Sequence, residues 1–331
     1  MSHKWVAVTG GCGYIGSHIA CELKEKTDYK VLIIDRNASN MHHTHWLADE
    51  LINNDIISFI STSALATLRP EAIIHCAGTS LVGPSITYPA EYYNNNVVKT
   101  IKLLDVMRSN NLNNIIFSSS ASVYGTGWAK ICTEHDIPKP INPYGNTKFI
   151  TELTLKDYAT AYKINSMSFR YFNAAGADPK SRLGQDVGAT HLVARIMESL
   201  VKGDLLTVYS DQYPTKDGTC VRDYAHVCDI ARAHVLGIDY LKENPGAHAI
   251  NLGSGTGTTV LEMIHAAELV TGQSVNYEIG PDRIGDPAIL VANTEKAKHQ
   301  LNWEPEYTVE DIVKHAWDWY HSDSYTKLAA N

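Results

Sequence analysis

No other stretch narrows the fold as much as Thr9-Gly10-Gly11-Cys12-Gly13-Tyr14-Ile15-Gly16, which follows an apolar run and opens a helical pattern. The three spaced glycines do different work. Gly10 suits a tight turn, Gly13 lets backbone approach a pyrophosphate, and Gly16 permits close packing of helix on strand. Phosphate oxygens then meet free N–H groups at the positive helix end, with Tyr14 and Ile15 in its first turn. Asp35 closes the second apolar run about 20 residues on, the distance a dinucleotide fingerprint requires. Its carboxylate accepts from a ribose diol and repels a 2′-phosphate, which selects NAD over NADP.

The surrounding pattern fits a fold of that kind. Short apolar runs at 5–9, 30–35, 56–60, 72–76, 114–118 and 165–171 alternate with helical stretches at 15–26, 43–53, 91–110 and 143–163. This is the rhythm of βαβ units, and runs apolar throughout are those of strands covered on both faces. The expected class is α/β, a Rossmann-type doubly wound parallel sheet. After residue 172 the pattern loosens, and helical periodicity returns at 227–242, 259–271, 293–301 and 308–320. We expect a dinucleotide domain over 1–172 and a smaller α/β substrate lobe over 173–331, interleaved so that later segments complete the sheet.

Charge and cysteines exclude other classes. The net charge of −8 disfavours a nucleic-acid footprint, and no run reaches the length of a membrane span. Six cysteines lie scattered without a C-x-x-C pair, and the chain begins without an apolar signal segment. Both features point to a reducing cytoplasm. His42-His43-x-His45 lacks a second ligand cluster at zinc spacing, so no metal is expected.

Chemistry concentrates in two segments. In Asn142-Pro143-Tyr144-Gly145-Asn146-Thr147-Lys148, Asn142 is a natural N-cap and Pro143 a natural first helical residue. Tyr144 and Lys148 then share a helix face, where an ammonium can lower the phenol pKa from about 10 toward neutrality and make it a base. Upstream, the strand at 114–118 runs into Ser118-Ser119-Ser120. Hydroxyls at the carboxyl end of a central strand face the crevice where such sheets bind ligands. Ser120 is placed to bond the reacting oxygen.

These motifs, with EYYNNNV (91–97), RYFNAAGADP (170–179), YPTKDGTCVRDYAHV (213–227) and NLGSG (251–255), resemble the extended short-chain dehydrogenase/reductase family, and within it the enzymes that epimerise UDP-galactose and UDP-glucose at C4. The resemblance covers essentially the whole chain. It implies that Tyr144 removes the 4-hydroxyl proton while hydride passes to NAD, giving a 4-keto sugar that turns and takes the hydride back. It also implies a cofactor site of Gly10, Gly13, Tyr14, Ile15, Gly16, Asp35, Ser63, Ala64, Cys76, Ala77, Gly78, Ser80, Asn95, Ser118, Tyr144, Lys148 and Phe172. For the UDP-sugar it implies Ser120, Tyr144, Asn173, His191, Leu192, Tyr209, Arg222, Arg283, Asp286 and Leu290. Arg222 and Arg283 suit a diphosphate because a guanidinium fork matches phosphate oxygens in pairs. A homodimer through the helices at 91–110 and 143–163 is implied as well, with Val97, Ile101 and Leu104 on one apolar face and Leu153 and Tyr158 on the other. Those faces equally suit a core.

The chain departs from the family pattern in places. Ser80 stands where the family carries a lysine, and the acidic residue after the third strand aligns with Ser63. Both changes imply weaker hold on NAD. Leu290 occupies a position where strict glucose/galactose enzymes carry tyrosine, which implies room for an N-acetyl group. The alternatives are therefore a UDP-N-acetylglucosamine 4-epimerase, another nucleotide-sugar short-chain dehydrogenase, or a non-enzymatic NAD-binding scaffold. A 4,6-dehydratase needs an acid/base pair where this chain has Ala121 and Ser122.

Overall fold

The structure, a computed structural model, describes residues 4–37, 42–125, 130–282 and 287–330. Seven strands form one sheet. In chain order they are β1 (Trp5–Thr9), β2 (Lys30–Asp35), β3 (Glu50–Asn53), β4 (Ala72–His75), β5 (Asn114–Ser120), Asn165–Tyr171 and Ala247–Leu252. Across the sheet the last two come first, followed by β5, β4, β1, β2 and β3, and every pairing is parallel. Strand order reverses between β1 and β4, and the crevice at such a reversal is where open α/β sheets bind ligands.

Helices cover both faces, which is why these strands are apolar along their whole length. Val6 and Val8 of β1 pack in one core with Ile19 and Leu23 of helix α1 (Tyr14–Lys26) and with Ile230 and Leu241 of the helix Val227–Glu243. Ala7 between them faces the other core, with Leu65, Leu104 and Leu155. The final strand lies far beyond residue 172, so the sheet is closed by chain that has already given Asn173–Ala175 and Val221–His226 to a second group of strands. That group pairs Val221–His226 with Gly257–Thr259, Asn173–Ala175 and Ile289–Ala292, the last of which also pairs Lys130–Cys132. A separate core under it gathers Ile196, Met263, Ile264 and Trp319. Among the described residues, no helix is long and apolar enough to cross a membrane.

Two sequence expectations fail around the third strand. The stretch 43–53 is a 3₁₀ turn (His42–Leu47) followed by β3, and 56–60 contains no strand. Ser58 ends the apolar run instead. Its side chain accepts from the Ser61 backbone N–H and caps helix α2 (Phe59–Leu68), leaving Phe59 and Ile60 exposed. The helix expected over 91–110 is regular only in part, because Tyr93–Val98 is a π-helical turn. Such turns are rare and cluster at functional sites. Here it aims Asn95 and Asn96 at the loop after β4: Asn95 Nδ2 donates to Thr79 Oγ1, while Asn96 accepts from Thr79 N–H and donates to Thr79 O.

Candidate active site

A cleft of about 540 Å³ opens at the carboxyl ends of the central strands. The glycine turn forms one wall. Gly10 has φ +69°, and a Cβ there would meet Ala77 N at 2.7 Å. A Cβ on Gly16 would lie 2.2 Å from Gly10 O, so helix and turn touch at this point. Gly13 differs, since only Gly10 O, at 3.4 Å, lies within reach of an added Cβ. It caps helix α1 without a side-chain bond, and the first turn carries no acidic residue. The leading N–H groups and the positive helix end are therefore turned to the cleft, the environment a pyrophosphate needs. Asp35 lines the cleft beside them, its carboxylate accepting from Cys12 N–H at 3.1 Å and Asn37 N–H at 2.9 Å. A carboxylate has lone pairs left over for a diol. These residues fit an NAD.

Beyond the turn, Tyr14, Ile15, Cys76, Ala77, Gly78, Ser80 and Asn95 also line the cleft, as the sequence predicts. Ser63 and Ala64 do not: they ride on helix α2. The third strand ends at Asn53 rather than near residue 60, so Asn54, Asp55 and Ile56 take the wall in their place. An acidic residue does follow the third strand, then, and the weaker hold on NAD rests on Ser80 alone. The missed signal was the Asn53-Asn54-Asp55 cluster, which is turn chemistry rather than strand. Asp55 Oδ2 is ion-paired to Lys99 Nζ at 2.6 Å, and its carboxyl is held below the usual range by the hydrogen bonds of Lys99 and Ile57 despite the opposing burial.

At the far end stand Ser118, Ser120, Tyr144, Lys148 and Phe172. Asn142 caps its helix as expected, accepting from Gly145 N–H at 2.8 Å, with Pro143 in the first position. Lys148 Nζ donates to the carbonyl of Ser118 at 2.7 Å and lies 5.7 Å from the centre of the Tyr144 ring. Burial pulls the lysine down to about 8. Tyr144 departs from the expectation: burial pushes its phenol up to about 12, against a hydrogen bond from Ser120 that favours the ionised form. The ammonium is turned onto the Ser118 carbonyl, so the protein alone offers the phenolate too little positive charge to offset burial. A pyridinium ring seated in the cleft supplies more.

The sugar-side residues divide. Asn173, His191 and Leu290 line the cleft. Leu192, Tyr209 and Arg222 do not. Leu192 starts the helix that His191 caps, and Tyr209 ends the strand Leu206–Tyr209, pointing partly to solvent. Arg222 sits directly behind the wall, paired in the sheet with Leu290, its Nη1 donating to the carbonyls of Val221 and Pro287. Arg283 and Asp286 lie outside the described residues. Tyr171, which the sequence does not single out, lines the cleft beside Ser118.

A parallel sheet with a glycine turn at its reversal, and a tyrosine, lysine and serine gathered at the next strand end, defines a dinucleotide-dependent enzyme class that works on alcohols and ketones. The chain belongs to the NAD dependent epimerase/dehydratase family, whose model matches residues 6–253. It is 38% identical over 330 residues to the UDP-glucose 4-epimerase of Halalkalibacterium halodurans, with 97% of each chain covered. A UDP-glucose 4-epimerase from Brucella ovis, solved in complex with NAD, is 40% identical with a TM-score of 0.90 over 95% of this chain and 98% of that one. Another, from Stenotrophomonas maltophila with bound NAD and formylated UDP-arabinopyranose, is 33% identical with a TM-score of 0.92 over 99% of this chain and 100% of that one.

Proposed function

We propose that this chain is an NAD-dependent UDP-glucose 4-epimerase that interconverts UDP-galactose and UDP-glucose through a transient 4-keto sugar. The observation that carries the reading is the convergence of Ser120, Tyr144 and Lys148 on a cleft whose other end is a glycine turn with uncommitted helix N–H groups. NAD, held by the glycine turn, Asp35, Asp55 and the strand ends, supplies hydride acceptance and return when bound. Tyr144 takes the proton from the sugar 4-hydroxyl and gives it back to the same oxygen after the sugar has turned over. Ser120 bonds the same oxygen and holds it near the phenol. Lys148 contributes positive charge behind the ring.

The sugar must turn between the two hydride steps, so binding energy has to come from the remote nucleotide. We assign that grip to Arg222 with Arg283 and Asp286, and the sugar pocket to Asn173, His191 and Leu290. Leu290 and Ser80 both stand on the cleft wall, which favours acceptance of N-acetylhexosamines beside the plain sugars. A homodimer in the cytoplasm completes the reading. Of the residues expected there, Val97 and Leu104 are buried and Tyr158 packs against the core, whereas Leu153 is exposed and is joined on the two helices by Val98 and Tyr162, which suit a helical interface. Incubation of the purified protein with UDP-galactose, UDP-glucose and their two N-acetyl counterparts, with products assigned by NMR, tests it. Conversion of UDP-galactose supports the reading, and no conversion of any of the four rejects it.

A further inference from the structure

Behind the cleft floor runs a buried chain of side chains that the catalytic reading leaves unused. Ser118 Oγ meets Tyr171 Oη at 2.9 Å, Tyr171 Oη meets His234 Nε2 at 2.6 Å, and His234 Nδ1 meets the carbonyl of Ile230 at 2.8 Å. The last link fixes all the others. A carbonyl only accepts, so His234 Nδ1 carries the proton. In a neutral imidazole Nε2 is then a bare acceptor, and burial keeps this histidine neutral by lowering its pKa to about 4. Tyr171 must spend its one proton on His234, and Ser118 must spend its own on Tyr171. Ser118 and Tyr171 both line the cleft, yet toward it, and toward the Cys76 thiol that Ser118 also meets, they offer lone pairs only.

We propose that His234 is a positioning residue that makes this part of the cleft floor an acceptor-only surface, selecting a ligand group that donates N–H. Given the NAD-dependent reading above, on which the inference rests, that group is the amide nitrogen of the nicotinamide carboxamide. An unpaired acceptor facing a buried ligand is costly, so the preference is measurable. His234 itself touches neither cofactor nor substrate. It is buried on the helix Val227–Glu243, is absent from the cleft lining, and acts through Tyr171.

The test compares NAD⁺ with 3-acetylpyridine adenine dinucleotide, in which a methyl group replaces the amide nitrogen, by calorimetric titration of protein freed of nucleotide. The wild-type protein is expected to bind the analogue roughly tenfold more weakly, a ratio set by one lost hydrogen bond. In His234→Leu and Tyr171→Phe the chain can reverse or end, and the ratio should shrink to within about twofold. His234→Gln, which restores an acceptor near the Nε2 position, should recover it, as a merely structural role would not require. Independently, ¹⁵N-labelled histidine should show His234 of the wild-type protein protonated on Nδ1. Equal wild-type affinities, an undiminished ratio in His234→Leu, or a proton on Nε2 would overturn the proposal while leaving epimerase activity intact. Failure of the wild-type protein to bind either dinucleotide overturns the NAD-dependent reading as well.

Discussion

Tyr144 carries a contradiction that the working enzyme has to resolve. A phenol pushed up to about 12 by burial is a poor base near neutrality, and the groups able to bring it down are cationic. Two predictions belong to this residue and its neighbour. Tyr144→Phe should lower kcat by roughly 10²- to 10⁴-fold, the span of a lost acid–base group, while calorimetric NAD⁺ affinity changes little. Lys148→Met removes a positive charge, so the phenol titrates higher. Because the base works deprotonated, the rising limb of kcat/KM against pH should move up by about one unit or more. An unmoved limb would mean that Lys148 acts only by holding the Ser118 carbonyl.

At the level of elements, the contact between turn and helix is the most exposed to change. Gly16→Ala places a methyl 2.2 Å from Gly10 O, a backbone atom that cannot swing aside. Chemical denaturation should show a loss of about 1–3 kcal/mol, and NAD⁺ affinity should fall with it, because the displaced turn is the phosphate wall. The same elements show what a sequence reveals. Glycines, Asp35, the Asn142 cap and the Tyr144–Lys148 spacing are local features, so their places follow from periodicity and turn chemistry alone. The third strand was hidden because Glu50–Asn53 is a short edge strand with two exposed polar ends, while the more β-like run beside it is broken by the Ser58 cap. The π-turn left no trace either, since the partner loop at Thr79 meets Asn95 and Asn96 only in three dimensions. Tyr171 is not marked out either, since a residue at a strand end faces core and cleft at once.

At the scale of the whole molecule, four buried histidines among the described residues share one behaviour. His18 and His234 are lowered to about 4, and His75 and His226 to about 3, in each case chiefly by burial. Unfolded, they titrate near 6.5, so between about pH 6.5 and 4 the unfolded chain binds more protons than the folded one. Stability therefore falls as pH falls through that window. Urea midpoints should drop steeply from pH 7 to pH 5, and calorimetry near pH 5 should show several protons taken up on unfolding. A flat midpoint over that range would mean these rings are not held neutral.

The strand order has a further cost during synthesis. While residues 1–171 have left the ribosome and 247–252 have not, the strand Asn165–Tyr171, paired with β5 on one side, stands at the rim of the nascent sheet with the backbone donors and acceptors of its outer edge unclaimed. Its residues from Ser166 to Tyr171 are all buried in the finished protein, which makes that rim sticky for other chains. A truncated product ending at residue 172 should consequently clump rather than remain monodisperse, and the nascent chain has good reason to be shielded until its last strand arrives.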